Sequence, residues 1–537
     1  MLGGMQDWPL RIMRVLDHAE REHGARELVS WRGKGRCDRT DWAGIARDAR
    51  KLARALERLG LKPGDRVGTL AMNHADHIVA WYGTIGMGGV IHTINPRLFD
   101  DQLAFIVNHA EDRLLFYDAV FAPLVERLKP RWTHIEHYVC FDSQPSFGAG
   151  RNDWDALIGG ESDDYRWVEG DERAPAMLCY TSGTTGNPKG VLYEHRSTML
   201  HAFAEIAPDA FDMSARSVIL PVVPMFHAGA WGVPFSAAMA GCKMVYSTDY
   251  TPQVMCDLMR AEGVTHSAGV PTVWLALIDH VERTGADLGR LGTILIGGSA
   301  APRAMIRYFT ERGIRVGHAW GMTEMSPLGT IGSPTGDWDE LTDEQRLDFQ
   351  CRQGRSMFGV ELRTVDEEGK VLPRDGKSSG RLETRGPWVV RQYFQDSTGP
   401  AVDADNWFDT GDVAALHPNG VLQITDRSKD VIKSGGEWIS SIELENAAVG
   451  CPGVAEAAAV GVRHPKWDER PLLLVVRKEG AEVTEERIIA HLAGHVAKWW
   501  LPDEILFVES LPHTGTGKLL KTALREQYRD YKLGSAS

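Results

Sequence analysis

The sequence predicts an α/β protein in which a large N-terminal region of layered sheets and helices precedes a small α+β C-terminal domain. Two observations carry this expectation. Short β-type runs alternate with stretches of helical period through the first four hundred residues, the pattern of parallel sheets covered by helices. The character of the chain then changes after residues 410–412, where a charged, glycine-bearing connector leads into a compact set of strands and helices. The domains are placed at 1–426 and 437–537, with residues 427–436 as the hinge between them.

Across residues 41–59 the apolar positions Ile45, Ala49, Leu52, Ala53, Leu56 and Leu59 recur at helical spacing. Thr40 is the candidate cap, and Gly60 and Pro63 stop the pattern. A strand over 66–72, a helix from His74 and a β-type run over 90–94 complete a strand–helix–strand unit. Further β-type runs fall at 113–117, 177–180, 218–220, 244–246 and 293–296. A hairpin turns at 418–420. In the C-terminal part, helices are expected over 441–448 and 485–498 and strands over 454–462, 472–477 and 505–508. There is no repeat of fixed period and no low-complexity tract.

Composition narrows the function classes. The 537 residues are 43% hydrophobic and 25% charged, an ordinary globular balance, and the formal charge of −14 argues against a nucleic-acid-binding face. The seven cysteines are scattered and never spaced C-x-x-C, so they read as reduced, buried thiols of a cytoplasmic protein. No run approaches the roughly 20 apolar residues of a membrane span, and no signal peptide is expected.

The chemistry concentrates in residues 180–191, YTSGTTGNPKGV, between an apolar strand and a helical stretch expected to begin near Tyr193. Backbone N–H groups beside Gly183, the hydroxyls of Ser182, Thr184 and Thr185, and the charge of Lys189 can wrap phosphate oxygens. The spacing is not that of a Walker loop. Residues 224–229 (PMFHAG), 297–302 (GGSAAP), 317–327 (GHAWGMTEMSP), 409–412 (DTGD), 426–436 (DRSKDVIKSGG) and 512–518 (PHTGTGK) follow in order.

Together these segments, spread over nearly the whole chain, resemble the motifs of the adenylate-forming superfamily, which comprises acyl-CoA synthetases, firefly-type luciferases and peptide-synthetase adenylation domains. Trp320 stands where that pattern usually has tyrosine. The resemblance implies ATP, Mg²⁺ and coenzyme A as reactants and cofactors, a small carboxylic acid as substrate, and an acyl-adenylate intermediate. It assigns Thr181, Ser182, Gly183, Thr184, Thr185, Lys189, Gly298, Ser299, His318, Ala319, Trp320, Gly321, Met322, Thr323, Asp412 and Arg427 to the nucleotide, and Glu324 to magnesium. His227, Trp231 and Gly232, with Gly298, Gly321 and Met322, are implied to line the acyl site. Lys518 is implied to serve adenylation and Lys433 thioester formation, with Thr323 and His227 also catalytic; Lys429 matches the hinge about which the small, mobile C-terminal domain is implied to turn, and Gly435, Gly436 and Trp438 the coenzyme A tunnel. Taken singly, several of these residues also read as packing: Trp320 and Trp231 as core aromatics, His227 as a satisfied histidine, Lys518 as a surface lysine.

In synthetases restricted to acetate a tryptophan stands where this chain has Gly321, so the resemblance implies a pocket extending beyond two carbons. The N-terminal MQDWPL, residues 92–98 and the tail from residue 497 are most similar to bacterial medium-chain acyl-CoA synthetases, including those acting on 3-(methylthio)propionate, the leading expected acid. A medium-chain acid, or a ligase that stops at the acyl-adenylate, are the alternatives; a nucleotide-binding regulator without catalysis is disfavoured by the intact Lys189, Glu324, Asp412, Arg427 and Lys518. Pairing with a second copy is left open.

Overall fold

The computed structural model describes residues 3–142, 152–181, 187–435, 437–514 and 519–533. Two large sheets dominate the N-terminal part. The first runs in the order Asn152–Asp153, His137–Cys140, Asp112–Tyr117, Arg66–Leu70, Val90–Thr93, Pro175–Tyr180, Gly190–Glu194, parallel throughout except for its final pair. The second has nine strands. Its parallel centre comprises Arg315–Gly321, Thr293–Ile296, His266–Gly269, Val218–Pro221, Lys243–Ser247 and Glu27–Gly33, with antiparallel strands at both ends.

The helix Ala75–Gly86 touches strands of both sheets, and apart from Asp76 every residue in it is buried. That explains its almost unbroken run of apolar and small residues, since a helix enclosed on all sides has no face to give to polar groups. Trp42–Arg58 packs beside it. Its cap is Asp41, not Thr40, because extended backbone at Asp41 lets the carboxylate accept the Gly44 N–H. Tyr193, expected to start a helix, lies on the strand Gly190–Glu194, and the helix begins at His195. That strand pairs antiparallel with Pro175–Tyr180, so the segment 180–191 starts and ends on two paired strands. Cys37 is exposed, on an edge strand of the second sheet, in contrast to the buried thiols expected.

A third, antiparallel sheet is built from Glu361–Val365, Ser379–Arg385, Phe408–Leu416 and Leu422–Arg427. The chain then enters the C-terminal sheet, Glu437–Ile439, Ile432–Ser434, Asp468–Arg477 and Val454–His464, with Glu504–Phe507 parallel to Asp468–Arg477. The crossing from one sheet to the other therefore falls between Arg427 and Ile432. The helix expected over 485–498 ends at Leu492, ahead of Gly494, and a separate turn of 3₁₀ helix covers Lys498–Trp500.

The C-terminal part grips the end of the preceding strand. Asp426 Oδ2 accepts from the Ser441 backbone N–H at 2.6 Å and from its hydroxyl at 2.7 Å, while Ser440 donates to the Thr425 carbonyl. Lys521 lies 2.7 Å from Glu445 and donates to the Ser441 hydroxyl at 2.6 Å. Burial of these ions is tolerable because each is paired and hydrogen-bonded. Among the described residues, no helix is long and apolar enough to cross a membrane.

Candidate active site

A cavity of about 530 Å³ opens beside the carboxyl ends of the parallel strands of the second sheet, the place where α/β sheets admit ligands. Of the sequence-predicted residues, Thr181, Lys189, His227, Trp231, Gly298, Ala319, Trp320, Gly321, Met322, Thr323, Glu324, Arg427 and Lys429 line it.

One wall comes from the first sheet. The Thr181 backbone N–H donates to the Lys189 carbonyl at 2.9 Å, and the Lys189 N–H donates to the Thr181 hydroxyl at 3.2 Å, closing the base of the hairpin loop. Ser182, Gly183, Thr184 and Thr185 lie outside the described residues. Four residues after Lys189, the Tyr193 hydroxyl donates to the Thr323 carbonyl at 2.7 Å, joining the two large sheets at the site. Lys189 Nζ stands 4.6 Å from the centre of the Tyr393 ring, and the Tyr393 hydroxyl donates to Glu324 Oε1 at 2.9 Å. Burial raises the Glu324 carboxyl pKa, with the Tyr393 hydrogen bond and the charges of Arg427 and Lys189 opposing it.

The third sheet carries Asp412, which is buried and is not itself in the cavity lining but is held by two residues that are. Trp320 Nε1 donates to its Oδ2 at 2.9 Å, and Arg427 Nε lies 3.4 Å from its Oδ1. Trp320 is thus packed by its ring and hydrogen-bonded through its polar tip. His318, on the same strand, points away: its ring nitrogen meets the Gln350 carbonyl at 3.3 Å, and burial holds its pKa down to about 4. Ser299 is exposed and does not line the cavity.

The apolar end is shaped by an unusual backbone. Ala228, Gly229, Ala230, Trp231 and Gly232 all have φ between 43° and 84°, a left-handed turn that costs each non-glycine residue about 1–2 kcal/mol. The turn delivers the Trp231 indole against Gly297, where a Cβ would sit 3.1 Å from its Cη2. Gly321 leaves no room for a side chain, since a Cβ would lie 2.0 Å from the Pro327 carbonyl oxygen. Asn73 braces the approach to His227: its amide donates to the Pro221 and Val223 carbonyls at 3.2 and 2.9 Å, and its Oδ1 accepts the Met225 N–H at 2.7 Å.

Lys433, Gly435 and Trp438 are not brought into this cavity. They share one hairpin of the C-terminal sheet, where Lys433 faces Trp438 in register and Gly435, at φ +63°, lies under the Trp467 ring. Gly436 and Lys518 lie outside the described residues. Asn73, Tyr193 and Tyr393 are not legible in the sequence, because each bonds partners remote in the chain, and Glu205 sits in no motif.

The sequence matches the AMP-binding enzyme family over residues 16–394 and the AMP-binding enzyme C-terminal domain over 443–518. The chain belongs to the AMP-binding enzyme family. Within the family it is 47% identical to the 3-methylmercaptopropionyl-CoA ligase of Ruegeria lacuscaerulensis, over 99% of this chain and 100% of that one. It is 45% identical to the medium-chain-fatty-acid–CoA ligase of Ectopseudomonas oleovorans, over 100% and 99%. Its fold matches the anthranilate CoA ligase AuaEII bound to anthranoyl-AMP with a TM-score of 0.88 at 22% identity, over 98% and 99% of the two chains. The AMP-binding match stops at residue 394, so Asp412 and Arg427 fall between the two matched segments.

Proposed function

We propose that this AMP-binding enzyme is an ATP-dependent acid–thiol ligase of the cytoplasm that joins a short- to medium-chain carboxylic acid to coenzyme A, releasing AMP and diphosphate, with 3-(methylthio)propionate as the leading acid. The observation that carries this reading is a single cavity with Lys189, Thr323 and Glu324 in its polar lining and Trp231, Met322 and Leu328 in its apolar lining. One molecule of acid can thus meet the phosphate-handling groups with its carboxylate while its tail is buried.

A carboxylate repels nucleophiles and has no leaving group, so it must first be joined to AMP. Its oxygen attacks the α-phosphorus, the bond to diphosphate breaks, and the acyl-adenylate remains. Lys189 adds positive charge at the phosphates and Thr323 a hydroxyl donor, contacts that matter most as charge develops in the transition state. Asp412, fixed by Trp320 and Arg427, is suited to accept hydrogen bonds from the two ribose hydroxyls. Glu324 is a buried hard-oxygen donor, and among the described residues no cluster of three or more metal-ligating side chains exists. A carboxylate oxygen of this kind is a ligand type that magnesium accepts. Magnesium held by Glu324 would supply further positive charge at the phosphates.

Thioester formation is assigned to a second arrangement, in which the C-terminal domain turns about Lys429 and presents Lys433, Gly435, Gly436 and Trp438 in place of Lys518. The high identity to acyl-CoA ligases over the whole chain supports this reading. The test is product analysis across straight-chain and thioether acids: coenzyme A-dependent release of AMP and diphosphate is expected. ADP as product refutes adenylation, and acyl-adenylate accumulation unaffected by coenzyme A refutes the thiol step.

A further inference from the structure

Glu205, at the end of the helix His195–Glu205, lines the same cavity although it is almost wholly buried. Its Oε2 has no hydrogen-bond partner among the described residues, while the Ser236 hydroxyl bonds the same carboxyl group. The glycine at 232, held at φ +84°, keeps the space beside Oε2 free of a side chain: a Cβ there would stand 3.0 Å from this oxygen and 2.6 Å from His201 Cε1. His201 Nε2 accepts the Leu328 N–H at 3.1 Å, so the ring proton sits on Nδ1, which is 4.0 Å from Glu205 Oε2 and too far to bond it. Burial depresses the His201 pKa to about 3 and pushes the Glu205 carboxyl up to about 8. Near neutral pH the pair is therefore an uncharged imidazole beside an uncharged acid, and the acid has an O–H to give.

A buried donor without a partner costs free energy, and an all-hydrocarbon tail would leave it so. We propose that Glu205 is a specificity-determining residue: it donates a hydrogen bond to a heteroatom in the substrate's tail and so favours thioether and ether acids over hydrocarbon acids of equal length. This rests on the ligase reading above and names the acid class of that site. Thioether sulfur is a weak acceptor and ether oxygen a stronger one, so the two grade the effect.

Three acids of the same chain length isolate it: 3-(methylthio)propionate, 3-methoxypropionate and pentanoate. The expected result is a wild-type kcat/KM for each heteroatom acid about threefold to tenfold above pentanoate, the span of one net hydrogen bond. Glu205→Gln, which keeps a donor, should retain most of that ratio, and Glu205→Leu should bring it to about one. A loss of packing alone would slow all three acids together and leave the ratio unmoved. A wild-type ratio of one or less, measured with no variant at all, overturns the inference while leaving the ligase reading intact. A ratio unchanged in a folded Glu205→Leu enzyme also overturns it. Turnover of none of the three acids removes the substrate range itself, and this inference with it.

Discussion

Trp320 does at once two jobs that are usually separate: its ring fills space over Gly329, and its N–H holds Asp412. Trp320→Phe keeps the aromatic face and deletes the N–H, leaving a buried carboxylate with Arg427 as its remaining charged partner. Loss of a hydrogen bond to a charged group costs about 1.5–3 kcal/mol, so KM for ATP should rise by about tenfold or more, with KM for the acid little changed, as steady-state kinetics would show. An equal rise in both would mean that the indole supports the cavity as a whole. This contact spans ninety-two positions, which is why the sequence suggests adenine stacking for Trp320 but not the bond to Asp412. Lys189, Thr323 and Glu324, which the resemblance of their segments assigns to the nucleotide and magnesium, line one cavity. Tyr393 is not legible in the sequence: its value comes from standing between Lys189 and Glu324, a relation between distant loops.

At the scale of the element, most strands and helices are legible, since a period of two or of 3.6 follows from which faces are buried. The left-handed turn over residues 228–232 is not, because only two of its five residues are glycines and surrounding structure must hold the others there. Ala230→Val places a β-branched side chain at φ +50°, where such residues are outliers. Destabilisation by about 2 kcal/mol or more is expected in thermal unfolding, together with weakened acid binding as Trp231 moves. The buried helices also carry histidines that stay neutral when folded: burial holds His77, His195 and His201 near pKa 3. Below pH 6.5 the unfolded chain takes up protons that these rings refuse, so stability falls as pH drops from about 6.5 toward 3. The slope is about 1.4 kcal/mol per pH unit for each ring. In His77→Gln the loss of stability between pH 6.5 and 5, read from urea midpoints, should be smaller than in the wild type by about 2 kcal/mol; an identical loss would mean that His77 is protonated in the folded state.

For the whole molecule, the resemblance places two lysines on different faces of one small domain, and their defects should separate. Lys518→Ala is expected to slow adenylation by about 10²–10³-fold, while supplied acyl-adenylate still reacts with coenzyme A. Lys433→Ala should leave pyrophosphate exchange near normal and slow thioester release. Single-turnover measurement of each half-reaction decides the matter, and two variants equally impaired in both would end the division of labour. The structure gives this prediction a physical setting, since Lys433 already shares a hairpin with Gly435 and Trp438, away from the cavity.

The grip on Asp426 has a mechanical consequence. A domain hung on a bare linker would drift through every angle, but this one is seated by two hydrogen bonds to a buried carboxylate, with the Lys521–Glu445 pair behind them. Such a seat acts as a detent: small excursions are pulled back, and a large swing must either slip the catch in one motion or carry the end of the strand Leu422–Arg427 with it. The arm would then click between stops rather than wander, and the strength of the catch, more than the slackness of the linker, would time the passage from one half-reaction to the next.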